Sequence, residues 1–341
     1  MADPAPLSTP PAGPPVQTPP GTATAASSRL DFNRDGRDWP HRETSRFIES
    51  SGLVWHVQIM RPDGATADAG GAPAIVLIHG TGASTHSWRD VMQILAHRMT
   101  VVAMDLPGHG FTSMPQDGAG LSLQGMATGV AELLSKLGIA PRIAVGHSAG
   151  AAILARMCLD RRLDLDTLIS LNGAILPLGG LAGTIFSPIA KLLVGLDFVP
   201  RYAASRNADP SVLRGYLANT GSTLDARGLE LYGTLARSPG HVAAALGMMA
   251  NWNLPAMEAE LPKLTPRLVL VAAALDRMIK PNDSFRLRDR LANAEVVFLR
   301  DVGHLAHEER PAEIAELIVS RAVQAGILAA PEADTSQSAK P

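Results

Sequence analysis

Cysteine is nearly missing from this chain: Cys158 is the only one in 341 residues. No internal disulfide can form, which suits a reducing, cytoplasmic setting, and Cys158 reads as a packing residue within a helix. A basic excess is missing too, with 30 Lys and Arg against 32 Asp and Glu and a formal net charge of -2, so nothing points to a nucleic-acid partner. The amino terminus, Met1-Ala2-Asp3-Pro4 onward, has neither the basic start nor the apolar centre of a secretory signal. It stays rich in Pro, Ala, Ser and Thr to about Ser28, a composition that cannot bury enough apolar surface to offset chain entropy. Residues 1–30 therefore read as a disordered or polyproline-like tail, and 326–341 as a shorter one. No internal repeat of solenoid length occurs. What remains, in a chain that is 46% hydrophobic, is ample for one sizeable α/β core with an inserted subdomain.

Two familiar motifs are also incomplete. His79-Gly80-Thr81-Gly82-Ala83-Ser84 is glycine-rich, but no Gly-Lys-Ser/Thr follows, so it is a poor phosphate loop. His304, His307 and Glu308 run H-x-x-H-E and not the H-E-x-x-H of zinc proteases. Neither a metal nor a cofactor is expected.

The most specific stretch present is Gly146-His147-Ser148-Ala149-Gly150, a G-x-S-x-G between the β-like run Arg142-Ile143-Ala144-Val145 and a helix-like run from Ala151 to Leu159. A nucleophile elbow requires that context: small residues allow the tight turn, and strained backbone pushes the Ser148 hydroxyl into a cleft. The helix begins beneath it, with free N–H groups and a positive dipole end. A serine hydroxyl needs a base and a group to orient that base. Asp276 follows the apolar run 268–274, and His304 follows the β-like run Val296-Val297-Phe298-Leu299. Each candidate thus sits after a strand, where open α/β sheets place ligands. For the oxyanion, Ile75-Val76-Leu77-Ile78 ends in the glycine-rich loop, whose Thr81 N–H, or in second place that of Gly82, pairs with the N–H of Ala149. His79, Gly80, Gly82, His147, Met249 and Trp252 are the candidate substrate contacts, with His79 and His147 in positioning roles.

Early strands are expected at Phe47–Met60 and Ala74–Ile78, joined by a Gly/Pro-rich hairpin loop over Pro62–Pro73. Another strand is expected at Thr100–Met104, a helix at Leu123–Leu137 and a strand at Thr167–Asn172. The pattern turns helical between Ala174 and Thr265, which reads as a lid over 177–262 inserted into a core of 31–176 and 263–325. Ala174–Val199 contains only Lys191 and Asp197 as charges. Pro177, Pro188, Gly179, Gly180, Gly183 and Gly195 nevertheless argue against a membrane-spanning helix. A hydrophobic pocket wall, or peripheral contact with a membrane surface, fits better. Met248, Met249, Trp252 and Leu254 add soft and aromatic surface.

From Asp38 to Ile318 the chain resembles the α/β-hydrolase superfamily. The resemblance rests on His79-Gly80, Asp105-Leu106-Pro107-Gly108-His109-Gly110, the elbow, and the Asp276 and His304 loops, in that order. It implies an α/β-hydrolase fold: a mostly parallel, doubly wound sheet with an inserted helical lid. One departure is Ala273, where the family commonly has glycine. Within the superfamily the chain is most similar to the magnesium-chelatase accessory proteins of bacteriochlorophyll biosynthesis, the BchO type. That similarity is carried by Trp39-Pro40-His41-Arg42, Ser45-Arg46-Phe47, residues 79–89 and 186–192, Thr220-Gly221-Ser222-Thr223-Leu224-Asp225 and Pro239-Gly240-His241-Val242. It implies a role near magnesium insertion into protoporphyrin, with a tetrapyrrole and magnesium-chelatase subunits as partners. The triad alone favours a serine hydrolase of ester-type bonds in a small hydrophobic substrate. Haloperoxidase, dehalogenase and C–C hydrolase chemistry use the same triad.

Overall fold

The computed structural model describes residues 29–62, 72–177, 196 and 198–330. The expected tail through residue 28, most of the expected 62–73 loop (63–71), the apolar segment 178–195 with 197, and Pro331–Pro341 lie outside the described residues.

Eight strands form one sheet: β1 (Ser45–Ser50), β2 (Leu53–Met60), β3 (Ala74–Ile78), β4 (Thr100–Met104), β5 (Ile143–His147), β6 (Thr167–Leu171), β7 (Arg267–Ala273) and β8 (Ala294–Leu299). Their order is β1-β2-β4-β3-β5-β6-β7-β8. Every pairing from β4 to β8 is parallel, and β2 runs antiparallel to both its neighbours. β4, β5 and β6 are buried at every position, as expected of parallel strands covered on both faces.

The first hairpin is not where the apolar pattern puts it. Phe47–Met60 is not one strand, and the 62–73 segment does not return the chain to a paired neighbour. The chain instead folds back within that run, pairing Ser50 with Leu53 through Ser51 (φ 54°) and Gly52 (φ 72°). Two positive φ values in a two-residue loop match the twist of the flanking strands. β3 then enters the sheet between β4 and β5.

The helices are α1 (Arg89–Leu95), α2 (Leu123–Lys136), α3 (Ala149–Leu159), α4 (Phe198–Arg206), α5 (Pro210–Ala218), α6 (Ala226–Ala236), α7 (Pro239–Ala250), α8 (Leu254–Glu258), α9 (Pro281–Arg290), α10 (Ala306–Glu309) and α11 (Pro311–Gln324). α2 and α3 cover one face of the sheet through Met126, Val130, Leu133, Ile153 and Leu154. α1 and α11 cover the other through Met92, Leu95, Ile314 and Ile318. α4 to α8 are inserted between β6 and β7. Side chains of Asp209, Asp225, Ser238 and Asn253 cap four of them, and Pro210, Pro239 and Pro255 stand in the first turns of three, where the missing N–H costs nothing.

Both ends of the body reach slightly further than composition suggests. Leu30 packs on the cluster of Trp39, Phe111, Leu231 and Leu235, and Ile327 and Leu328 pack on the second face. Burial pushes the Cys158 thiol up to about 12, which leaves it a packing group. No helix among the described residues is long and apolar enough to cross a membrane.

Candidate active site

The carboxyl ends of β3, β5, β6, β7 and β8 lie along one edge of the parallel sheet, and the candidate residues follow from them. Ser148 ends β5 with φ 50° and ψ -115°, a sparsely populated conformation that costs about 1–3 kcal/mol. The neighbouring glycines explain why nothing larger fits. A Cβ at Gly146 would stand 2.3 Å from the Ala151 nitrogen, and one at Gly150 would stand 2.2 Å from the Ile78 oxygen.

Asp276 and His304, 28 residues apart, meet through His304 Nδ1 and Asp276 Oδ2 at 2.8 Å. A carboxylate only accepts, so Nδ1 carries the proton and Nε2 keeps its lone pair. The other oxygen, Asp276 Oδ1, accepts the N–H groups of Met278 (2.7 Å) and Ile279 (2.9 Å). Both carboxylate oxygens are thereby fixed before any substrate arrives.

Ser148 and His304 open onto one cavity of about 410 Å³. Thr81, Gly82 and Ala149 line it as well. Neither the Thr81 nor the Ala149 N–H has a backbone acceptor outside the helices among the described residues. Ala149 opens α3, where a free N–H is inherent. The Thr81 hydroxyl donates to Met248 Sδ at 3.4 Å.

Of the expected substrate contacts, Gly80, Gly82, His147, Met249 and Trp252 are in the cavity wall. His79 is the correction. It is fully buried and lies behind the wall, with Nδ1 donating to the Gly80 oxygen (2.8 Å) and Nε2 accepting the Leu106 N–H (2.9 Å). With both nitrogens used on backbone, it shapes the loop and is not part of the cavity wall. His147 bonds the His304 carbonyl through Nε2 at 2.9 Å, and burial first, then the neighbouring His307 and His304, holds it well below the ordinary histidine range. His307 is also fully buried, its ring tilted against those of Trp88 and His147 at 4.5 Å each. It does not line the cavity.

Several contributors carry no motif. Asp105, at the end of β4, accepts from Thr85 N (2.7 Å), Phe111 N (2.9 Å) and His56 Nδ1 (2.8 Å), tying the glycine-rich loop to the Pro107–Gly110 turn. The inserted helices reach the same structures. His241 of α7 accepts the Gly110 N–H at Nδ1 (3.0 Å) and donates from Nε2 to the Gly82 oxygen (3.1 Å). Thr220 O accepts the His304 N–H (3.2 Å), and Ser222 Oγ accepts that of Leu305 (2.8 Å). Glu308, four residues after His304, meets Arg89 (2.6 Å) and the Tyr232 hydroxyl of α6 (2.8 Å). Burial pushes its carboxyl up to about 7.

His241 gives a pH prediction. Burial lowers it to about 4, while an unfolded histidine takes its proton near 6.5. The neutral ring's contribution is complete above about pH 6.5, declines as pH falls and is gone near pH 4, a loss of about 3 kcal/mol of unfolding free energy. Burial lowers His79, His86, His109, His147 and His307 in the same direction. Urea unfolding between pH 8 and 4.5 is expected to show a steep acid-side loss that is shallower in His241→Gln. Parallel curves would contradict this.

The rest of the cavity wall is mostly apolar, with Leu213, Leu217, Val242, Leu246, Leu254 and Ile279 among its residues and Asn207, Tyr216, Thr220 and Tyr232 as uncharged polar ones. It includes no Asp, Glu, Lys or Arg among the described residues. No group of three His, Cys, Asp or Glu among the described residues is arranged to hold a metal ion. The arrangement brings the Ser148 hydroxyl, the Asp276-bound His304 imidazole and the backbone of Thr81 and Ala149 to one largely apolar cavity.

Comparison with known proteins agrees with this architecture. Residues 75–317 match the model of the alpha/beta hydrolase family. The chain is 33% identical over 275 residues to the magnesium-chelatase 30 kDa subunit of Rhodobacter capsulatus, covering 80% of this chain and 92% of that one. It is 32% identical over 150 residues to the fluoroacetate dehalogenase of a Burkholderia species, covering 43% and 41%. An alpha/beta hydrolase fold protein from Burkholderia ambifaria superposes with a TM-score of 0.63 at 23% identity, covering 81% of this chain and all of that one. By sequence and by architecture, this chain belongs to the alpha/beta hydrolase family.

Proposed function

We propose that Ser148, His304 and Asp276 form an acyl-transfer triad acting on a hydrophobic ester-type substrate, and that the protein works beside magnesium insertion into a tetrapyrrole. The observation carrying the chemistry is the convergence of the Asp276-bound His304, Ser148 and two unbonded N–H groups on one apolar cavity. In this reading His304 Nε2 takes the Ser148 proton as Oγ attacks the carbonyl carbon. The N–H groups of Thr81 and Ala149 hold the oxyanion, and the protonated imidazole passes its proton to the leaving oxygen. Water then releases the acyl group by the same route. The missing charge in the described wall supports an apolar substrate, because an unpaired carboxylate buried there would cost several kcal/mol.

The tetrapyrrole setting rests on likeness over 92% of a protein named as a magnesium-chelatase subunit. With it go the proposals that chelatase subunits are partners, that the protein is cytoplasmic, and that the inserted helices act as a lid meeting a membrane surface peripherally. Leu196, Phe198 and Tyr202 are exposed there. The second reading is a carboxylic-ester hydrolase, or a related triad enzyme, unconnected with tetrapyrroles. The triad geometry favours it, since nothing in that geometry requires a pigment.

Protoporphyrin titration separates the two. Quenching of Trp252 in the cavity wall, equal in wild type and Ser148→Ala, is the expected result. In a phototroph lacking the gene, magnesium-porphyrin formation is expected to fall and to be restored by the wild-type gene but not by Ser148→Ala. Full rescue by Ser148→Ala would replace catalysis with a binding role. No porphyrin binding together with normal pigment would leave the ester-hydrolase reading.

A further inference from the structure

β6 supplies none of the three reacting residues, yet its end bonds to the loops of all three. Leu171 O accepts the Ser148 N–H at 3.0 Å, and the Ala174 N–H donates to Ser148 O at 2.9 Å. Between them, Asn172 is 2% exposed and takes φ 46°, a left-handed conformation that Asn tolerates better than most residues. Its side chain spans the other two loops. Oδ1 accepts the Ala273 N–H at the end of β7 (2.9 Å), three residues before Asp276. Nδ2 donates to the carbonyls of Gly303 (3.1 Å) and His304 (2.9 Å). These partners fix the amide orientation, because an N–H requires the oxygen and carbonyls require the nitrogen. His147, the elbow residue before Ser148, donates to the same His304 carbonyl.

We infer that Asn172 is a positioning residue for the triad: its amide sets the His304 loop against the Asp276 loop and the elbow. This rests on the reading of Ser148 and His304 as the reacting pair. A displacement of about 1 Å at a reacting centre costs on the order of 100-fold in rate, and among the described residues Asn172 is the one side chain bonded to both the acid's strand and the base's backbone. Asparagine supplies what neither relative of its size can. Aspartate keeps the acceptor for Ala273 but turns an anionic oxygen onto two carbonyls, and leucine has neither donor nor acceptor.

The test compares wild type, Asn172→Asp and Asn172→Ala by saturating modification of Ser148 with a fluorophosphonate, recording rate and amplitude separately. Both variants are expected to react about 10- to 100-fold more slowly at saturation, with the half-saturating concentration nearly unchanged and full amplitude. A purely structural role would lower the amplitude by the unfolded fraction and leave the rate of the folded molecules unchanged, which would overturn the inference. Two variants guard against one failing to fold. The downfield proton resonance of His304 Nδ1–H supplies a readout that needs no reaction, and it is expected to shift or broaden in both variants. If wild type does not react, the triad reading fails, while an unchanged resonance in the variants would overturn the role of Asn172 by itself.

Discussion

His304→Ala is expected to slow fluorophosphonate modification of Ser148 by about 10⁴-fold, since a hydroxyl without its base loses most of its activation. The comparison that makes this informative is His307→Ala. The two histidines are three residues apart, and only one of them can meet Ser148. Only His304 bonds Asp276 and lines the cavity. His307 is sealed between Trp88 and His147, with neither ring nitrogen bonded to a described residue. Its replacement opens space behind the elbow and lowers stability by about 2–4 kcal/mol, while folded molecules should react within about tenfold of wild type. Equal rate losses in the two folded variants would show that the base is misassigned.

Asp105→Ala is expected to cause the largest loss of stability, about 3–5 kcal/mol in urea unfolding. It would strand three donors, Thr85 N–H, Phe111 N–H and His56 Nδ1–H, in a site without solvent access. Asp105→Asn does not rescue it, because all three partners donate and the amide nitrogen must face at least one of them. Burial opposes the charge on Asp105, but His56, His79 and the Phe111 N–H outweigh it and hold the carboxyl below its usual range. The contribution is lost on acidification, as that of His241 is, but in a lower pH window. A depressed carboxyl contributes its full stability above the unfolded value near 3.9 and loses it as pH falls toward the folded value. The wild-type advantage over Asp105→Ala should therefore hold from pH 8 to about 5 and narrow only below that. An advantage below about 1 kcal/mol at pH 7 would contradict the role given to these bonds.

The elbow, the acid loop and the base loop were legible in the sequence because each obeys a local rule. A serine flanked by Gly146 and Gly150, between an apolar run and a helical one, admits few backbones. Asp276 and His304 each follow a short apolar run that parallel strands require. The helix starting at Leu123 and the strand Thr100–Met104 followed the same periodicities. The hairpin was misplaced because Ser51 and Gly52 interrupt a β-like pattern too briefly for period alone to divide it. His79 looked like a contact because it adjoins the glycine-rich loop, and only the Leu106 N–H shows that the ring faces backward. Asn172 was invisible for a different reason. A polar residue closing a strand is ordinary, and its partners at Ala273, Gly303 and His304 lie more than 100 residues away, where no pattern in one sequence reaches. His241 and Ser222 are likewise distant in sequence from their partners, since their bonds to Gly82 and Leu305 arise only when the inserted helices settle on the core.

The claim at the centre of this account is that Ser148 is an activated nucleophile, and intact-mass analysis after fluorophosphonate treatment tests it most directly. The expected result is a single adduct that maps to the peptide containing Ser148, complete in wild type and missing from folded Ser148→Ala. A folded wild-type protein that stays unmodified while a control esterase reacts, or an adduct on any other residue, would contradict it.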